Sequence, residues 1–154
     1  MNIFVISDNP IECAQTLDDK RVVKMILEST QMLSTAVSAL GGNAPYKPTH
    51  AKHPCTLWVQ QDPRNAGWLW QHALALFGEY ELRYGKDHKC FGPFMQCAFE
   101  LMRLGHMDFA QPDSFVNCTT HHKYIDDVHM AYQLEMCHKW DHDKREPRWY
   151  GVAK

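Results

Sequence analysis

Leu17-Asp18-Asp19-Lys20-Arg21-Val22-Val23-Lys24-Met25-Ile26-Leu27-Glu28-Ser29-Thr30-Gln31 places ionic groups on two sides of a helix that must also be core. At 3.6 residues per turn, Val22, Met25, Ile26, Met32, Leu33 and Ala36 align as a buried stripe, and Arg21, Lys24, Glu28 and Gln31 form a second, polar line. So narrow a line suggests side chains facing a cleft. Internal salt bridges give the same pattern, because Lys24 and Glu28 are four apart and Asp18 and Arg21 three apart. Cations crowd the helix start, where the dipole disfavours them, so an anion should balance them: Asp18 and Asp19, or a phosphate.

Outward from this helix the chain reads as helical. Asp8 or Asn9 caps a short helix opened by Pro10 and running to about Leu17, either separate from the next helix or continuous with it. The second helix stops at Gly41-Gly42, and residues 43–53 form a proline-bearing loop. His53-Pro54 and Asp62-Pro63 open two more helices, and Gly85 ends the longer one. Trp68 and Trp70, two apart on that helix, cannot share a face, so one of them is partly exposed. Further helices are expected over 93–104 and 122–139, with a loop over 105–117. Ahead of all of them, Asn2 to Ile6 is either a strand or an extended segment laid on helices. The expected fold is mainly α: one compact helical domain over 1–154, of about five to six helices, with a charged, aromatic tail from about 141.

A net charge of -2 gives no global attraction to nucleic acid or anionic membrane, so phosphate binding must be local. The start lacks a basic n-region and is broken by Asp8-Asn9-Pro10, which reads as neither signal peptide nor membrane anchor and points to the cytoplasm. The six cysteines are dispersed and are expected to be thiols rather than disulfides. His50-x-x-His53-x-Cys55, Cys118-x-x-His121-His122 and Cys137-His138-x-x-Asp141-His142 carry metal-ligand residue types at short spacing, those of zinc above all, but none has a standard zinc pattern, so no metal or other cofactor is expected. His50 or His53 suits proton transfer to a leaving base. Trp58, Trp149 and Tyr150 are candidates for stacking on bases, unless the last two lock the terminus down.

Leu17-Asp18-x-Lys20-Arg21-x-x-Lys24-x-x-x-Glu28, His53-Pro54 with Trp58, the aromatic and arginine-bearing end Tyr80 to Tyr84, and Pro147-Arg148-Trp149-Tyr150 together resemble the pyrimidine-dimer DNA glycosylase-like family, small phage and bacterial proteins related to the endonuclease V type of dimer glycosylase. The resemblance implies an N-glycosidic bond hydrolase or lyase acting on a damaged or modified nucleotide in DNA. It implies Asp18 or Asp19 as the acid, Lys20, Arg21 and Lys24 for phosphate or as the amine, and Glu28 to orient them, with Gln31 on the same face and Arg148, Trp149 and Tyr150 touching DNA. Relatives of the endonuclease V type use an amine exposed by removal of methionine. Asparagine at position 2 is bulky enough to retain it, so the amine here would be that of Met1. Two other readings use the same residues: a phage-type protein that binds or hydrolyses a small signalling nucleotide in the host cytoplasm, and a metal-stabilised interaction module.

Overall fold

A polar cap followed at once by proline opens three of the helices: Asn9 before Pro10, His53 before Pro54 and Asp62 before Pro63. Each cap side chain accepts a backbone N–H from the first turn, and proline sits where no N–H is needed. The computed structural model describes residues 1–150; the end of the expected tail and domain, 151–154, lies outside the described residues. The helices are α1 (Pro10–Thr16), α2 (Asp19–Ala39), α3 (Pro54–Gln61), α4 (Pro63–Tyr84), α5 (Phe91–Arg103) and α6 (Val128–His142), with no strand among the described residues. α1 and α2 are separate, because Leu17 and Asp18 are extended between them.

α2 and α4 form the centre: α1 and α2 pack on α4, while α3 and α5 pack on α2. The expected stripe of α2 is buried throughout, each large apolar side chain contributing about 1.5–3 kcal/mol. Trp68 is buried and Trp70 is partly exposed, stacked on Phe94. Gly67 lets the 104–109 segment cross α4 at backbone distance, since a Cβ there would collide with the Asp108 carbonyl. Gly85, at φ 68°, closes α4 in the left-handed conformation.

The N-terminal segment forms no strand; it is an irregular piece laid on helices, turned at Phe4, which has φ 47°. Asn2 Oδ1 accepts the N–H groups of Ile3 and Phe4, and Ile3 and Val5 are fully buried. From α6, His129 Nδ1 and Gln133 Nε2 bond the carbonyls of Val5 and Ile6.

Two helix starts differ from expectation. α5 begins at Phe91, with Pro93 inside its first turn rather than at its head. α6 begins at Val128 instead of 122, for two reasons. The buried Glu135 carboxylate takes the N–H groups of Thr120 and His121, which satisfies them outside a helix. Asp127 caps the true start through His129 and Met130.

Candidate active site

The N-terminal segment brings the start of the chain to the middle of α2. The Met1 side chain is only 2% exposed, so its packing holds the residue while its amino group lies 3.9 Å from Glu28 Oε2. One turn earlier on α2, Lys24 Nζ lies 3.7 Å from Glu28 Oε1, and its side chain is 65% exposed. Two amines therefore flank one carboxylate.

The 43–53 loop forms a second wall because α2 ties it down. Ser34 Oγ donates to the Tyr46 carbonyl and accepts the Tyr46 N–H, and Thr35 Oγ1 makes the same exchange with Thr49. These two hydroxyls set the approach of His50 and His53 to the helix. His53 Nδ1 accepts the Cys55 N–H at 3.1 Å, so the neutral ring carries its proton on Nε2. Partial burial, then the Met1 amine and His50, hold His53 below the ordinary histidine range, and Glu28 and Lys123 are also within its electrostatic reach. His50 is exposed and bonds Thr49 Oγ1.

The structure separates the remaining site candidates from this group. Asp18 is 1% exposed, and its Oδ1 accepts Arg21 Nη1 at 3.0 Å and Trp140 Nε1 at 2.9 Å. Arg21 also makes two bonds to Asp143, at 2.8 and 3.1 Å, and so faces away from the line of Lys24 and Glu28. Lys20 pairs with Asp143 at 3.6 Å. Asp19 Oδ1 takes Arg83 Nη1 and the Tyr150 N–H. The Asp19 N–H reaches the Arg148 carbonyl, and Trp149 Nε1 donates to the Thr16 carbonyl with its ring edge-on to Trp140. Asp18, Asp19, Arg21, Arg148, Trp149 and Tyr150 thus build a joint that fastens the tail to the α1–α2 corner. Trp58 is 2% exposed with Nε1 on the Ser114 carbonyl, so it is a core residue and presents no face to a base. Gln31 borders a concavity of about 340 Å³ with Leu27, Tyr46, Lys89 and Cys90.

Two of the metal-type motifs converge in space. Ligand atoms of His53, Cys55 and Cys118 lie within 4.8 Å of one another, next to the Met1–Glu28 pair. Separately, His121 and His122 both reach Glu135 Oε1, and the His138 ring lies 4.1 Å from those of both His121 and His142. Burial works against the Glu135 carboxylate, but these two imidazoles and two backbone N–H groups outweigh it and hold its pKa down to about 2.

Of the residues assembled here, the sequence points to Met1 only through the resemblance and to Cys118 only as part of a metal-type motif, while Lys123 carries no local signal. Concavities of about 420 and 410 Å³ lie elsewhere, one between α4 and the start of α5, the other at the tail joint. An amine, a carboxylate and a neutral imidazole in one group have the chemistry to attack a sugar carbon and manage the protons involved. No curated protein and no solved structure matches the chain. The family described as pyrimidine dimer DNA glycosylase matches residues 1–91, a range that holds Met1, Lys24, Glu28 and His53 and ends before Cys118 and the tail. That range is more than half of the sequence, and the chain belongs to the pyrimidine dimer DNA glycosylase family.

Proposed function

We propose that this chain breaks the N-glycosidic bond of a damaged or modified nucleotide in DNA, with the Met1 amine as nucleophile and Glu28 as its proton acceptor. The observation that carries this reading is the 3.9 Å approach of the Met1 amine to the Glu28 carboxylate, made by a residue whose own side chain is packed away. The amine nitrogen bonds C1′ while the C1′–N bond breaks and its electron pair leaves with the base. Glu28 takes one amine proton and returns it to the ring oxygen as the C1′–O4′ bond opens, leaving a protonated imine. The departing base takes its proton from water, and the Nε2–H of neutral His53 is the neighbouring hydrogen-bond donor that steadies it as it leaves. α-Amines as a class deprotonate nearer neutrality than lysine amines, which favours Met1 over Lys24 as the nucleophile. Lys24 and Lys123 supply the local positive charge that the net charge of -2 withholds from the molecule as a whole.

Borohydride trapping on duplexes carrying a pyrimidine dimer or an abasic site tests this reading. The expected result is a reduced covalent adduct that peptide mapping places on Met1, and that disappears when residues are added ahead of Met1. An adduct on Lys24 overturns the role given to Met1. Absence of any adduct, with base release intact, overturns the covalent step.

A further inference from the structure

Cys55 and Cys118 come from positions far apart in the chain, yet their Sγ atoms lie 3.2 Å apart, with Cys55 donating. Cys55 is buried in the first turn of α3, and Cys118 is only partly covered, in the segment ahead of α6. The Cys118 N–H is fixed by Tyr132 Oη. The hydrogen bond from Cys55, opposed by partial burial, holds the Cys118 thiol down to about 7, with Lys123 adding to the effect; Cys55 is pushed up by that same bond and by burial, and keeps its proton. An accessible thiolate in a cationic setting beside a protonated thiol is the arrangement of an oxidant-sensitive pair.

A bound metal fits the same residues less well. Two thiolates on one tetrahedral zinc, with Zn–S near 2.3 Å, stand about 3.8 Å apart, wider than the 3.2 Å found here. His53 uses its Nδ1 lone pair on the Cys55 N–H, which leaves a proton rather than a lone pair on Nε2. The Met1 amine and Lys123 nearby oppose a cation and favour an anionic sulfur.

We infer that Cys118 and Cys55 form a peroxide-sensitive dithiol that closes to a disulfide, independently of whether Glu28 and Met1 are catalytic. The Cys118 thiolate attacks one oxygen of a hydroperoxide and the O–O bond breaks. The second oxygen leaves as water or alcohol after taking a proton, and Cys118 becomes a sulfenic acid. Cys55 sulfur then attacks Cys118 sulfur, the S–O bond breaks, and water departs with the Cys55 proton. Two thiols lose two electrons in all, and the peroxide gains them.

The test is brief exposure of the full chain to low hydrogen peroxide, followed by intact mass and non-reducing peptide mapping. The expected product is lighter by about 2 Da, carries a Cys55–Cys118 link that dithiothreitol reverses, and leaves the exposed Cys137 reduced at that dose. In Cys55→Ser the intermediate has no resolving thiol, so dimedone should label Cys118; the wild-type map decides the matter even if that variant folds poorly. Preferential oxidation of Cys137 overturns the proposal. So does stoichiometric zinc in the purified protein that is released only when Cys55 and Cys118 are alkylated.

Discussion

Asp18, the cap residue just ahead of α2, and Glu28, within it, stand about 15 Å apart along the helix axis, and they differ in what surrounds them. At Asp18 every partner is protein: Arg21, Trp140 and, through Arg21, Asp143 close over a carboxylate that is 1% exposed. At Glu28 the partners are two amines at 3.9 and 3.7 Å, one of them on a largely exposed lysine. The same ingredients, acids beside bases along α2, make a fastening at one end and, at the other, the group proposed above as reactive. What distinguishes them is the origin of the countercharge. The joint draws on α4, α6 and the tail, whereas the candidate site draws on the chain start and on a lysine that is 65% exposed.

Substitution should separate the two. Arg83→Met should strand the Gln15 and Leu17 carbonyls and the carboxylates of Asp19 and Glu79, all held by one buried guanidinium. Breaking such a network costs about 3–5 kcal/mol, so Tm should fall by roughly 10 °C while activity per folded molecule changes little. Calorimetry beside a trapping assay checks both halves. If Arg83→Met abolishes trapping without lowering Tm, the joint is catalytic and the division fails.

Glu28→Gln is the converse. It keeps the shape and removes the proton acceptor, so imine trapping should slow by about 100- to 1000-fold with Tm nearly unchanged. A fall in Tm comparable to that of Arg83→Met would make the Met1–Glu28 contact a fastening as well.

The division also explains what was legible beforehand. Helices opened by Asn9-Pro10, His53-Pro54 and Asp62-Pro63 could be read because cap and proline act within a few residues. The start of α6 could not, since the carboxylate that ties down Thr120 and His121 ahead of it belongs to Glu135, inside α6 and distant in sequence. Asp18 and Asp19 carry the residue types of a catalyst, and what absorbs them, Arg83, Trp140, Asp143 and Tyr150, is distant in sequence. Glu28 stood on the polar line from the start. Its neighbour Met1 could be placed only once Ile3 and Val5 were seen to thread into the core.

His72 gives the joint side a pH dependence. It is buried, with Nδ1 on the Pro10 carbonyl at 3.0 Å, and burial lowers its pKa to about 4. Between about pH 6.5 and 4 the unfolded chain binds the extra proton, so stability is complete above that window and is lost as pH falls through it, on the order of 3 kcal/mol. Urea midpoints should follow this slope. His72→Asn, whose amide can keep the bond to Pro10, should flatten it; an unchanged slope would assign the loss to other groups.

Trp149→Ala is the smallest change, and it bears most directly on where the tail belongs. The indole donates one bond to the Thr16 carbonyl and packs edge-on against Trp140, so its removal should cost about 1–2 kcal/mol and loosen the cover over the α1–α2 corner. Affinity for undamaged duplex should then stay within about twofold, because the ring is spent on protein rather than on bases. A tail that touches DNA predicts the reverse: weaker binding, strongest on flipped or single-stranded lesions, at unchanged Tm. Measuring both on one preparation decides whether the end of the chain serves the joint alone or reaches the substrate as well. Whichever of the two properties moves, Trp149 is then counted with the region that owns it.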